Sequence, residues 1–237
     1  MYLESSKYYD ALYTFKNYAK EARYLREIIT NACPHAASVL DVACGTHEHA
    51  RFLAKWFEID GVDVNPDFLA HAALKNPAGK YVQSDMRELA LKSKYDAVLC
   101  LSSSIAYLQN AEEVTRVISR FADHLKPGGL VLIEPWYSQE TWSEDWGALV
   151  VGELKGERVA RGSSRRREGD HSLLTFHYMV VGSGEVQTFK ENHRLLLLSS
   201  TEIIEAFESA GLQVQHDDTW SRGRGLYIGK LASKESK

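Results

Sequence analysis

Apolar residues in the first 136 positions follow two alternating patterns. Short unbroken blocks read as strands: Val39 to Ala43, "EIDGVDV", "KYVQSD", "YDAVLCL" and "LVLIEPW". Between them, apolar residues recur three and four positions apart, the spacing of one helix face. Tyr8 to Asn31 reads this way as one helix or two, with Leu12, Tyr18, Ala22, Leu25 and Ile29 on the stripe. Further helices are expected from about Glu48 to Phe57, from Pro66, and from Glu112 to Leu125. Proline suits a first helical turn, and "KPGG" stops the last helix. Strands alternating with helices specify βαβ units. Strands without polar alternation are buried on both faces, as in a parallel sheet covered by helices.

After Trp136 the pattern changes. "ALVVGEL", "SLLTFHYMVV", "EVQTFKE" and "HRLLLLS" read as strands, with "KGE", "REGD" and "GSG" as turns. No helical spacing falls between them, so they should pair antiparallel. Helical spacing returns at Thr201 to Ala210, before "GLQVQHDD" and "GLYIGKL". The expected fold is α/β: a doubly wound, Rossmann-like core with a mostly parallel seven-stranded sheet and an antiparallel β insertion after the fifth strand. Residues 1–136 and 200–237 make the core, and residues 137–199 the insertion. The final "SKESK" is expected to fray.

Composition narrows the class. The chain has 237 residues, 44% hydrophobic and 25% charged, with a formal net charge of -4. That balance suits a globular protein and gives no electrostatic reason to expect nucleic acid. The run "SSRRREG" reads as a solvated turn. Cys33, Cys44 and Cys100 are odd in number and lack C-x-x-C spacing, which fits a reducing cytoplasm. "MYLESSKYYD" is not a signal peptide pattern, and no apolar stretch approaches the ~20 residues of a membrane helix.

The chemistry is expected at "VLDVACGTHEHARFL", where the first strand turns into a helix. Ligands of open α/β sheets sit at the carboxyl ends of the strands, and a helix start offers backbone N–H groups. Dinucleotide sites want G-x-G-x-x-G so that a pyrophosphate can approach the backbone. Only Gly45 is glycine here, the one position where a left-handed backbone or a close ligand carries no steric cost. S-adenosylmethionine (SAM) has no phosphate and needs fewer glycines. The turn then reads D-x-A-x-G-T, from Asp41 to Thr46, with Asp41 near the methionine amino group. Asp63, followed by Val64, ends the second strand and suits ribose hydroxyls. Asp85 ends the third and suits an adenine amine, with Met86 against the ring. Each acid alone could equally be a helix cap.

"VLDVACGT", "GVDV", "SDM", "YDAVLCLSSSIAYL" and "LKPGGLVLIEPW", in this order, resemble the class I SAM-dependent methyltransferases. "YYDALY", "KNYAKEA", "SSIAYL", "IEPWYSQETW", "REGD", "HRLLLLS" and "SRGRGLYIG" extend the resemblance over nearly the whole chain. They match the N,N-dimethyltransferases of nucleotide-linked amino sugars, such as those making desosamine and mycaminose. The resemblance implies that Tyr18, Ala43, Gly45, Asp63, Asp85, Met86 and Leu101 hold SAM. It implies that Tyr13, Ser104, Tyr107, Trp136 and Arg224 meet a dTDP-linked amino sugar, and that the protein is a homodimer. No metal is expected. Two positions depart from the family: His47 stands where glycine is usual and should crowd the turn, and Tyr107 leaves no imidazole at its position.

Methyl transfer to an amine is an in-line displacement that holding the reactants in place accelerates strongly. The amine can lose its proton to solvent, so a dedicated base is optional. Tyr107 is the candidate to orient the amine or accept its proton, against a plain half-buried tyrosine. His177 and His193 read as packing residues of strands. Trp136, Trp142 and Trp146 suit either stacking on a thymine or sugar, or packing of the insertion. Arg161, Arg165, Arg166, Arg167, Arg222 and Arg224 offer fork-shaped donors for a diphosphate. Two other readings stand at this stage: methylation of another small amine or hydroxyl compound, and a non-catalytic SAM-fold binding module.

Overall fold

A computed structural model describes residues 4–182, 184–220 and 223–233. Among them, eleven strands form two sheets. The first contains β1 (Ser38–Val42), β2 (Glu58–Asp63), β3 (Tyr81–Gln83), β4 (Tyr95–Cys100), β5 (Leu125–Ile133), β10 (Leu212–Asp217) and β11 (Leu226–Leu231). Its order is β10-β11-β5-β4-β1-β2-β3, with β1 to β5 parallel and β11 antiparallel to both neighbours. The chain reverses its winding at β1, which pairs with both β2 and β4. This switch point is where open α/β sheets leave a crevice.

The helices are α1 (Tyr9–Leu12), α2 (Tyr18–Ala32), α3 (Ala50–Leu53), α4 (Pro66–Lys75), α5 (Ala111–Asp123) and α6 (Ser200–Ser209). Local chemistry sets their starts. Asn17, Asn65 and Asn110 cap α2, α4 and α5, and Ser199 with Glu202 forms a capping box on α6. On α5, Val114, Val117, Ile118 and Phe121 share the buried face. The helix expected over Glu48 to Phe57 is only the single turn of α3. "KPGG" lies inside β5 rather than between helix and strand, and α5 already ends at Asp123.

The second sheet has the order β6-β7-β8-β9, all antiparallel: β6 (Gly147–Leu154), β7 (Glu157–Glu168), β8 (His171–Val181) and β9 (Val186–Leu196). Two expectations are corrected here. "EVQTFKE" and "HRLLLLS" are one continuous strand up to Leu196, because the alternation of exposed and covered positions carries through Asn192, which is exposed, and His193, which is buried. "SSRRREG" is no solvated turn; it is the end of β7, whose alternate arginines point to opposite faces. Its inner-face Arg165 is 9% exposed, over the rings of Tyr137, Trp142 and Trp146 at 4.8, 5.2 and 5.0 Å. The inner face also carries Val159, Leu174, Phe176, Tyr178, Val180 and Leu195, which pack with Tyr8 and Leu12 from the N-terminal segment. Gly152 permits this contact: a Cβ there would stand 2.4 Å from the Ala11 carbonyl oxygen of α1. The N-terminal segment and the second sheet therefore close over the carboxyl ends of the first sheet. No helix among the described residues is long and apolar enough to cross a membrane.

Candidate active site

The turn after β1 is built from alternating left-handed residues. Ala43 (φ 55°), Gly45 (φ 55°) and His47 (φ 62°) all have positive φ. Gly45 alone does this without cost; for the other two it costs roughly 1–2 kcal/mol each. Neighbouring bonds impose the shape. The Cys44 N–H donates to the Val62 carbonyl at 3.0 Å, and the His47 N–H to the Cys44 carbonyl at 2.9 Å. The Gly45 N–H donates to Asp63 Oδ2 at 2.8 Å, while Asp63 Oδ1 accepts the Asn65 N–H at 2.9 Å. Asp63 thus fastens the turn to the end of β2. A Cβ on Gly45 would meet nothing within 4 Å, so the turn leaves open space in front of it.

His47 does not crowd that space. Its side chain has no solvent exposure and lies under the turn, with Nδ1 3.0 Å from the Tyr81 hydroxyl and Nε2 3.5 Å from Asp41 Oδ2. Burial pushes its pKa down to about 3, so the ring is neutral. His47→Gly relieves the left-handed strain but removes a buried ring. We expect a loss of a few degrees in Tm, at roughly 2–4 °C per kcal/mol, with SAM affinity changed less than about threefold. Calorimetric titration and thermal denaturation check this. A large loss of affinity would make the histidine a ligand contact.

Asp41 is 4% exposed. Burial, with Asp63 adding repulsion, pushes its pKa up to about 8. The folded protein then holds a proton that the unfolded chain releases near pH ~3.9. The contribution of Asp41 to stability therefore falls as pH rises from about 4 to about 8 in the ligand-free protein. Asp41→Asn is expected to flatten that slope, read as Tm against pH.

The ten residues expected to hold the cofactor, with Tyr13, Ser104, Tyr107, Trp136, Arg161 and Arg224 from the acceptor candidates, border one cleft of about 510 Å³. Its two ends differ in charge. Asp41, Asp63 and Asp85 line the end over β1, β2 and β3, and Val64, Thr46, Ala43, Met86 and Leu101 complete it. Both Asp85 oxygens are engaged by Arg87, at 3.0 Å to Nε and 2.6 Å to Nη2. Tyr18 sits edge-on to His49 at the start of α2. The other end is bordered by Tyr13, Ser104, Tyr107, Trp136, Trp146, Arg161 and Arg224. Arg161 donates to the Tyr13 hydroxyl at 3.1 Å and lies 4.3 Å over Phe176. Ser104 donates to the Leu101 carbonyl at 2.9 Å. Acids at three successive strand ends, with open backbone beside them, suit a ligand bearing an amino group and a diol and no phosphate. This donor set fits SAM. No group of three or more His, Cys, Asp or Glu among the described residues could hold a metal.

Several members of the site were not legible in the sequence. Lys16 Nζ stands 3.1 Å from Ser102 Oγ and 3.4 Å from Glu21, and Glu21 meets His49 Nε2 at 2.7 Å. Glu134 is fully buried at the end of β5, accepts the Ser102 N–H at 2.9 Å, and pairs with Arg224. Its signal was present, an acid closing an apolar strand in "EPW", but its partner lies ninety residues away. Tyr107 does have an imidazole beside it: His193 Nδ1 is 2.7 Å from its hydroxyl. His177 lies on the opposite, outer face of the second sheet.

The methyltransferase domain family matches residues 39–129, the stretch from β1 into β5. The chain is 37% identical over 216 residues to the dTDP-3-amino-3,4,6-trideoxy-alpha-D-glucopyranose N,N-dimethyltransferase of Streptomyces venezuelae. That match covers 90% of this chain and 91% of that protein. The chain belongs to this family of amino-sugar N,N-dimethyltransferases. The crystal structure of Streptomyces venezuelae DesVI superposes with a TM-score of 0.91 at 35% identity, covering 97% of this chain and 99% of that one. SAM-bound CalS10, an amino pentose methyltransferase from Micromonospora echinaspora, gives 0.83 at 29% identity over 92% of each chain.

The protein is a SAM-dependent methyltransferase, and its acid-lined end is complementary to that cofactor. Trp142 and Arg165 do not border the methyltransferase cleft. Trp142 donates its indole N–H to Ser172 at 2.9 Å and fixes the loop before β6. Arg166 and Arg167 are exposed near the far end of β7, and Arg222 lies outside the described residues. Of the six arginines considered for a diphosphate, only Arg161 and Arg224 border the cleft among the described residues.

Proposed function

We propose that the protein N-methylates a dTDP-linked 3- or 4-amino deoxysugar. The observation that carries this is the two-ended cleft. One end is acidic; the other presents two arginines among aromatic rings, suited to a diphosphate and a sugar or base. Asp63 holds the ribose of SAM, Asp41 lies toward its amino group, and Asp85 with Met86 takes the adenine. Tyr18 and Leu101 pack along it. When bound, SAM supplies an electrophilic methyl group. The chain's own residues do the rest by placement: Arg161 and Arg224 hold the acceptor's anionic portion, Trp136 and Tyr13 its faces, and Ser104 and Tyr107 the reacting end. The test is incubation with SAM and dTDP-3-amino or dTDP-4-amino sugars, read by mass spectrometry. Gain of one or two methyl groups supports the reading. Turnover of simple amines or hydroxyl compounds, with the dTDP-sugars inert, overturns it.

The outer face of the second sheet favours self-association. Leu149 and Val151 on β6, Met179 and Val181 on β8, and Val186 on β9 are between 43% and 74% exposed. Contiguous apolar exposure of this kind marks an interaction surface. We assign it to a second copy of the chain, and light scattering on the purified protein tests that assignment. Three free cysteines suit a cytoplasmic setting.

A further inference from the structure

Tyr107 closes the 3-10 turn Ser104–Tyr107 after β4, and His193 lies on β9 of the second sheet. They are 86 residues apart, and their bond is a side-chain link between the cofactor core and the insertion. His193 is 2% exposed. Its ring lies 4.7 Å from Phe176, and its Nε2 faces Glu191 Oε2 at 3.9 Å. Glu191 is itself fixed by the Ser5 N–H at 3.2 Å and the Ser5 hydroxyl at 2.7 Å.

This chain of contacts has a direction. A carboxylate opposite Nε2 favours the tautomer with its proton there. Nδ1 is then an acceptor, so the Tyr107 hydroxyl donates to it. Burial holds the His193 pKa down to about 4, outweighing the attraction of Glu191, and Arg161 on β7 adds to the lowering. The ring therefore stays neutral at working pH and does not compete for a proton.

We propose that His193, through its bond to Tyr107, is a positioning residue that makes the Tyr107 oxygen a hydrogen-bond acceptor for the amine of the substrate. A tyrosine free to rotate could donate to the amine and occupy the lone pair that must attack the methyl group. With its proton committed to His193, Tyr107 can only accept an amine N–H. The nitrogen lone pair is then left for the sulfonium methyl. This rests on the acceptor being an amine, as proposed above.

The test uses the full chain with SAM and the dTDP-amino sugar. Tyr107→Phe and His193→Leu should each lower kcat by about tenfold to a hundredfold, the effect of losing a hydrogen bond to a charged or reacting group. SAM affinity should stay within about twofold, since neither variant touches the acid-lined end. His193→Asn, which returns an acceptor oxygen near the Nδ1 position, should recover most of kcat. The double variant Tyr107→Phe/His193→Leu should be no slower than either single one. Spectra of 15N-histidine-labelled protein give a reading without catalysis. His193 Nδ1 should remain unprotonated from about pH 5 to about pH 9 and shift in Tyr107→Phe. Additive losses, no recovery by asparagine, or a proton on Nδ1 would overturn the proposal. If the wild type is inert toward amino sugars but methylates another amine, the sugar reading fails. The same variants and spectra then decide the role of His193 on that amine.

Discussion

Asp63→Ala is expected to weaken SAM binding by about a hundredfold to a thousandfold. The carboxylate does two jobs at once. Its oxygens accept the Gly45 and Asn65 N–H groups, which hold the left-handed turn and the entrance to α4. In the proposed complex it also accepts the ribose hydroxyls. Hydrogen bonds to a charged group contribute roughly 1.5–3 kcal/mol each, and a factor of ten in affinity is about 1.4 kcal/mol. Losing two such bonds at the lower end of that range, about 3–4 kcal/mol together, gives the stated loss. The loss of turn geometry falls on the same measurement, because a turn relaxed from its left-handed shape no longer leaves space before Gly45. Titration calorimetry with SAM reads the effect. Asp63→Asn, which keeps one acceptor oxygen, should fall between the wild type and alanine. SAM binding by Asp63→Ala within tenfold of the wild type would remove Asp63 from the anchor role.

The second large effect is on stability. Arg224→Met strands the Glu134 carboxylate at the end of β5, where it is fully buried. Removing one partner of a buried ion pair costs about 3–5 kcal/mol. The Arg224 side chain is 15% exposed, so the lower end applies. At roughly 2–4 °C per kcal/mol, Tm should fall by about 6–12 °C. The pH dependence should also change sign. Burial alone would raise the Glu134 pKa; Arg224, Lys16 and the Ser102 N–H outweigh it, and the pKa is lowered. In the wild type this group therefore stabilises above the unfolded value of about 4.3 and loses that contribution as pH falls. Without Arg224 the burial effect prevails, and stability falls as pH rises above about 4.3. An Asp41→Asn background removes one other carboxylate with a slope of this sign, and Asp63, also raised by burial, is common to both proteins. Adding Glu134→Gln to Arg224→Met should restore most of the loss. A variant as stable as the wild type at every pH would show that Glu134 has other compensation.

The left-handed turn shows how far sequence reasoning reached. Gly45 announced a place where the backbone needs freedom, and the acids at the ends of β1, β2 and β3 announced a ligand with an amino group, a ribose and an adenine. That Ala43 and His47 share the left-handed conformation was not legible, because neither residue prefers it. Bonds from Val62 and Asp63, on the next strand, impose it. The departure at His47 looked like an obstacle in the turn. In three dimensions the same side chain fills the space beneath it and meets Tyr81 and Asp41.

By itself the sequence determined the local and the periodic: strands β1 to β5 alternating with helices, the first-turn proline Pro66, and the glycine-poor turn that points to SAM. These follow from short-range sterics, hydrogen bonding and the burial period of each segment. Tertiary structure decided what each buried face meets. It put Arg165 under three aromatic rings instead of in water, because β7 continues through its arginines and turns alternate ones inward. It joined Glu134 to Arg224 and Tyr107 to His193, pairs 90 and 86 residues apart. Periodicity tells which side of a strand is covered. The partner across the gap depends on the register of β7 to β9 and on how the second sheet docks over β4 and β5, which no local pattern encodes.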